Sequence, residues 1–503
     1  MVFVLLHFVE SRIIIFILIL TGFTVNAQFY NGSQLEFGKN RIQYKPLDWS
    51  FYRYDRFDVF FYAGGKDLSH LTAKIAKTYL PELESRFDYT LQNRLQLLIF
   101  DRLSDLKQSN VGIDASLANN LGGVTRQVGN KILLYNENGT VDFVKQIHAG
   151  IAEALVSEFL YGNDFRERLR SATLLNIPDW YLKGLVAWLS DSWNTQIENR
   201  VRDGIISGRY MQFNRLTGVD AVMAGQSIWH YIAATYGEKV IPEILEVTRI
   251  NRSVESGFQY VLGIGLKGIN QEWLNYYDKK YFYNDTLFDE LSGSIRSGKY
   301  REGYIYHQPQ ISPDGNSVAW VRNDHGKNTV WLAPFEGGKN RKLFTSGRKL
   351  PTLNDQSFPQ LAWHPTGEYL IYSDEFKGRL RLNFYNIKSK KTERKFLNGL
   401  EKVISMDVSP NGLQIALTGI RDGKTDVYIF SNAANTLQNI TDDFWDEANP
   451  RWLPNGKSII FSSNRPHDSL SVQQTVPLIP PTYHDLFIFN LATPLALNRL
   501  TAT

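Results

Sequence analysis

Cysteine is absent from the 503 residues. That excludes disulfides, Cys-ligated zinc, iron–sulfur clusters, a thiol nucleophile and an acylated N-terminal cysteine. No charge sign dominates. The chain carries 55 Lys and Arg against 51 Asp and Glu, a formal net charge of +4, so it lacks the broad basic footprint of a nucleic-acid binder. Long apolar runs are confined to the N-terminus, where Val2 to Val9 and Ile13 to Leu20 flank Glu10, Ser11 and Arg12. The second run is too short to span a bilayer comfortably, and Val25-Asn26-Ala27 before Gln28 reads as a small-residue cleavage site. Residues 1–27 are therefore expected to be a removed secretory signal, with no transmembrane span after cleavage. An exported chain without cysteine points to the envelope of a Gram-negative-type bacterium, in the periplasm or associated with the outer membrane, where a large core makes crosslinks unnecessary. What the chain does have is 43% hydrophobic and 13% aromatic residues, globular usage with room for many strands. Its length calls for two or three domains.

Two halves follow different patterns. From about Arg41 to Phe282, strand and helix signals alternate. Phe57–Tyr62, Leu95–Phe100 and Lys131–Tyr135 read as strands. Leu68–Phe87 has helical spacing, and Val141–Leu160 has a stripe at Val144, Ile147, Ile151, Leu155 and Phe159. Pro178–Leu189 predicts another helix with proline near its start. Trp180 and Trp188 share that helix and are expected to pack into the core. Ile228–Tyr283 reads as mostly helical, which makes this half α+β.

After Asn284 the pattern changes. Ser292-Gly293-Ser294 and Ser297-Gly298 mark a linker over 284–303. Four units then repeat, each a Pro-x-Gly turn leading into a strand: Pro313 to Gly315, Pro365 to Gly367, Pro410 to Gly412 and Pro454 to Gly456, with prolines 52, 45 and 44 residues apart. Proline presets φ and glycine accepts the φ > 0 position that reverses the chain. A period near 45 with several short strands per unit is that of a β-propeller. Each unit offers a third strand, such as Asp426–Phe430 or Asp485–Phe489, and a fourth ending in Thr, as at Thr345, Thr441 and Thr501. An open array of four would leave two apolar faces uncovered. The expectation is thus an arc completed by further chain or by another copy, with self-association through the incomplete propeller. The alternative is a small sealed ring in which Tyr304-Ile305-Tyr306 donates a closing strand to the last unit.

On these motifs, and on Phe461-Ser462-Ser463-Asn464-Arg465 after the second strand of the last unit, residues 308–503 resemble the WD40-like (PD40) repeats of the TolB-type β-propeller. Residues 56–283 resemble the peptidase-MA-like (gluzincin) domain in the stretches Phe57–Gly65, Leu97–Gly112, Pro178–Ser190 and Gln226–Tyr281. The implied organisation is a gluzincin-like α+β domain over 28–283, the linker, and propeller repeats over 304–503. The gluzincin resemblance also implies a zinc site: two histidines one helical turn apart, a glutamate beside the first as base, and a later glutamate ligand. Here only His148 is present. Ala149 stands at the base position, Ala152 at the second ligand and Lys183 at the third. One imidazole and an ammonium cannot hold zinc, so neither a catalytic residue nor a cofactor is expected. His148 is expected to be a satisfied histidine beside an apolar face, and Lys183 to face water or pair with Glu153 or Glu158.

The expected function is a non-catalytic envelope binding or scaffold protein, a pseudo-metallopeptidase domain fused to a propeller that docks a protein or glycan partner. The alternative is a secreted metallopeptidase or other hydrolase with atypical ligands. The connection after the second strand is short in three units, but runs from Arg465 to Tyr483 in the fourth. Its proline-stiffened stretch Val476, Pro477, Leu478, Ile479, Pro480 and Pro481 loses little entropy on docking and is the candidate partner contact.

Overall fold

A computed structural model of the chain describes residues 47–502, except 63, 102, 109–125, 129, 137–138, 163–176, 286–303, 350–357, 471–480 and 495. The expected signal segment, nearly all of the linker and Val476 to Pro480 lie outside the described residues. Helices occupy the N-terminal half, and four-stranded antiparallel sheets make up the rest.

The first half is built on a five-stranded sheet. Its strands are β1 (Ser50–Arg53), β2 (Phe57–Phe61), β3 (Leu95–Phe100), β4 (Arg126–Val128) and β5 (Lys131–Tyr135), in the order β1-β2-β3-β5-β4. The three central strands run parallel and both edges are antiparallel. Near-continuous apolar runs in β2 and β3 fit a sheet covered on both faces. Val59, Leu97, Ile99 and Ile132 face the large helical core, while Phe60, Leu98, Phe100 and Leu133 pack on the other side with Trp49. The helices are α1 (Lys66–Phe87), α2 (Leu103–Gln108), α3 (Thr140–Tyr161), α4 (Asp179–Ser190), α5 (Thr195–Ile206), α6 (Gly218–Tyr236), α7 (Val240–Asn251), α8 (Val254–Leu262) and α9 (Leu266–Asp285). The stripe expected on α3 is buried along its whole length. The backbones of α4 and α6 meet at two glycines: a Cβ on Gly184 would stand 2.5 Å from the Gly225 Cα. Among the described residues no helix is long and apolar enough to cross a membrane.

The second half holds four four-stranded antiparallel sheets, consistent with propeller-like blades. The first comprises β6 (Ile305–Ile311), β7 (Ser317–Asp324), β8 (Lys327–Pro334) and β9 (Arg341–Ser346). The second comprises β10 (Leu361–Trp363), β11 (Tyr369–Phe376), β12 (Arg379–Asn386) and β13 (Thr392–Phe396). The third is β14 (Lys402–Val408), β15 (Gln414–Arg421), β16 (Lys424–Ser431) and β17 (Thr436–Asn439), and the fourth is β18 (Glu447–Trp452), β19 (Ser458–Ser463), β20 (Asp485–Asn490) and β21 (Leu497–Arg499). Every Pro-x-Gly turn adopts the expected geometry: Gly315, Gly367, Gly412 and Gly456 have φ between 64° and 74°. At the opposite end, His325-Gly326, Lys377-Gly378 and Asp422-Gly423 have φ > 0 at both positions, the two-residue hairpin whose twist suits antiparallel strands.

The first strands of successive sheets pack in the order β6, β10, β14, β18, and no packing of comparable extent joins β18 to β6 among the described residues. Ile305 and Tyr306 belong to β6 and pair with β7 of their own sheet, so they donate no strand to the last sheet as the sealed-ring alternative required. The fourth position of the last sheet is filled by β21.

Candidate functional site

The positions singled out on the helices separate in space. Ala149 and Ala152 are wholly buried in the α3 core and offer no ligand atom. Lys183 pairs with Asp179 one turn back on α4, Nζ to Oδ1 at 2.9 Å. Glu158, one of its expected partners, is used elsewhere, accepting from the Gln92 N–H at 2.7 Å and the Asn93 amide at 2.9 Å. Glu153, the other, has one oxygen shut from water without a hydrogen-bond partner. Burial pushes its carboxyl up to about 7, with the Lys183 charge pulling the other way.

His148 alone reaches a cleft, of about 380 Å³, together with Tyr79, Glu82 and Arg86 from α1 and Trp188 and Trp193 at the end of α4. Its ring lies 4.2 Å from that of Tyr79. Burial holds its pKa down to about 4, with the Ser190 backbone pulling the other way, so the imidazole is neutral at pH 7. Trp180 is buried in the core, 1% exposed, as expected, and Trp188 is half-buried, packed against the same core on one side and lining the cleft on the other. Eight residues carry a helix two turns and roughly 80° further round, enough to bring one indole to the edge of the core face. The Arg86 guanidinium covers the Trp188 ring at 4.5 Å.

The two halves meet at the end of the sheets that carries the two-residue hairpins. Gly423, at the tip of the third hairpin, packs on Leu68 of α1, and its carbonyl accepts from the Asn136 amide at 3.2 Å. Beside it, the loop before β18 supplies Asp446, whose carboxylate accepts from the Thr140 N–H at 2.6 Å and the Val141 N–H at 3.0 Å. The N-terminus of α3 is preceded by Gly139, which has no side chain to cap it, and Asp446 satisfies those free N–H groups from the other half of the molecule. Burial pushes the Asp446 carboxyl up to about 6, although both N–H bonds act against the rise.

One further cluster was not anticipated as a cluster. Asp426, Asp443 and Glu447 place ligand atoms within 4.8 Å of one another, the one such acidic group among the described residues. Arg465 donates to Asp443 at 2.8 Å and Glu447 at 2.6 Å. The Thr441 hydroxyl lies 2.9 Å from Asp426 Oδ1 and 3.1 Å from Glu447 Oε2 while accepting from the Val427 N–H. A hydroxyl has one proton to give, so one of these two carboxyls carries its own. Burial raises Asp426 to about 6 and Glu447 well above its ordinary value. The last sheet repeats the tie: Thr501 donates to Asp485 at 2.9 Å and accepts from the Leu486 N–H. The cluster is therefore strand-to-strand bracing whose bonds are already made.

Of the proline-rich candidate contact, only Pro481 is described. It is partly exposed, and its carbonyl accepts from the Asn464 amide at 3.1 Å. The β19–β20 connection that carries it leaves from the same end of the sheets as the third hairpin. Arg86 and Asp446 gave no sequence signal, because each acquires its role from a neighbour far along the chain. Arg465 did, through the Ser-Ser-Asn-Arg stretch.

No protein-family model and no curated protein matches the chain. Among solved structures it is similar to TolB from Acinetobacter baumannii, with 14% identity over 40% of this chain and 44% of that one and a TM-score of 0.31. It is similar to a putative TolB from Agrobacterium tumefaciens, with 20% identity over 38% of this chain and 63% of that one and a TM-score of 0.29. A nidogen/laminin complex is similar at 10% identity over 40% of this chain and 66% of that one, with a TM-score of 0.30. The chain thus spans less than half of the first TolB and under two thirds of the second.

Proposed function

We propose that the chain is a non-catalytic binding or scaffold protein of a bacterial envelope, its helical half a gluzincin-like domain without a metal and its sheets a TolB-like propeller that docks a protein or glycan partner. The observation that carries this reading is the donor set on α3 and α4. Two of the positions that would serve zinc chemistry are alanines closed in the core, the third is a lysine held by Asp179, and His148 is left as a single neutral imidazole. Hydrolysis by metal-bound water needs three protein ligands and an open position. Such a set is not assembled there.

Metal analysis tests the reading. Zinc bound to the native state at a hundredfold excess over Kd would raise stability by ~2.7 kcal/mol. Purified residues 28–503 are expected to hold no stoichiometric zinc, and neither zinc nor a chelator is expected to move Tm. A zinc-dependent rise in Tm that is lost in His148→Ala would overturn the proposal in favour of a metallopeptidase.

A further inference from the structure

In the cleft beside His148 most of the uncharged side chains have spent their donors, while several acceptors remain. The Tyr79 hydroxyl donates to the Leu189 carbonyl at 3.0 Å, and the Gln226 amide to the carbonyls of Ala187 and Asp191. The Trp193 indole donates to Glu198, the Thr78 hydroxyl to the Lys74 carbonyl, and Arg86 to Glu238 at 2.7 Å. The Trp188 indole N–H, the Ser192 hydroxyl and the Arg86 N–H groups not used on Glu238 are the side-chain donors left over. On the acceptor side, Glu82 makes no hydrogen bond or ion pair among the described residues, and Glu238 uses one oxygen of two. The His148 ring lines the cleft, and a neutral imidazole carries a lone pair on one of its nitrogens.

Charge points the same way. Glu82, Asp191 and Glu238 line the cleft against one lining cation, Arg86. Lys145, which pairs with Asp191 at 3.1 Å, still leaves one carboxylate without a counter-charge. The walls already hold cations of this chain: Arg86 lies on Trp188 and pairs with Glu238, and Lys280 lies 5.7 Å from the Trp193 ring and pairs with Glu198. An indole face next to a carboxylate is a recognised seat for guanidinium and ammonium groups.

We infer that this cleft binds the cationic end of an arginine or lysine side chain from a polypeptide partner, and that Arg86 is the resident group such a side chain displaces from Trp188 and Glu238. The inference rests on reading the helical half as a domain without a catalytic metal, and it goes beyond that reading by giving this half a binding site of its own. With Arg86 as an internal competitor, the native cleft binds weakly and its affinity rises when the competitor is removed.

The test is calorimetric titration of residues 28–503 with N-acetyl-argininamide and N-acetyl-lysinamide, with N-acetyl-glutaminamide and spermidine as comparison ligands. Saturable binding of the two cationic amides that weakens with salt is expected. Arg86→Ala should bind several-fold tighter, and the exposed Glu82→Gln several-fold weaker, with unchanged circular dichroism in both. Three results would overturn the inference: no saturable binding, equal binding of the glutamine derivative, or no gain in Arg86→Ala. Tighter binding of spermidine than of either amide would overturn the polypeptide source. Stoichiometric zinc would instead sink the underlying reading, so the two failures are distinguishable.

Discussion

Glu153 sits beside Ala152 on a helix whose neighbouring side chains are closed in the core, with one carboxyl oxygen cut off from water. Its folded-state pKa, pushed up to about 7 from 4.5 by burial, means that the folded protein prefers the protonated acid. Its stabilising contribution is fully present below pH 4.5 and is lost as the pH rises through 7. Glu153→Gln keeps the shape and removes the charge, so it should stabilise the protein by on the order of 2 kcal/mol at pH 8 and hardly at all at pH 4. Urea unfolding at the two pH values checks this, and a gain of the same size at both would refute the buried-acid account. The residue types around it were legible in the sequence, since Ala149 and Ala152 are small apolar side chains with no ligand atom to offer. Lys183 pairs with Asp179 rather than Glu153 because a partner one turn away on the same helix needs no tertiary positioning.

At the scale of single elements, the turns were the most legible. Glycine four times at φ near 70° is local chemistry, and a local signal survives without knowledge of the fold. Strand ends were less so. Thr441 and Thr501 lie just beyond β17 and β21, where their hydroxyls serve the ties to Asp426 and Asp485. The N-terminus of α3 was illegible, because its cap lies 306 residues away. Asp446 has a folded pKa of about 6 against 3.8, so its protonated form is favoured in the folded state. That contribution is complete below pH 3.8 and lost as the pH rises through 6. Asp446→Asn keeps an acceptor oxygen but cannot titrate, and it should flatten the dependence of stability on pH between 4 and 6. Asp446→Ala leaves two N–H groups without acceptors and should cost about 1–2 kcal/mol at pH 7. Chemical denaturation across that range measures both. An unchanged slope in the asparagine variant would show that the carboxyl is not what titrates.

For the whole molecule, the first sheet turns one face to the second sheet through Ala319, Val321 and Val330. The other face carries Trp320 paired across the strands with Trp331, flanked by Tyr306 and Ile311, which are 46% and 57% exposed. The Arg322 guanidinium lies over the Trp331 ring at 5.3 Å, no described sheet packs on this face as the second sheet packs on the other, and an apolar sheet face of this kind favours association. The chain over 28–503 is expected to self-associate with rising concentration, and Ile311→Glu combined with Tyr306→Glu to shift it toward monomer. Sedimentation velocity reads the outcome, and a monomer at every concentration would refute it. The sheet repeat was readable because its period recurs in register. The cleft was not, because α1, α3, α4 and α6 each contribute only one side to it. The cap supplied by Asp446 also bears on how the chain comes into being. Synthesis runs from the N-terminus, so α3 leaves the ribosome roughly three hundred residues before its capping carboxylate exists. Through that interval its first turn has free N–H groups and nothing to hold them. The first turn of that helix therefore reaches its finished state only after the third sheet has been made, so the last contacts of the helical half wait on the chain of the other.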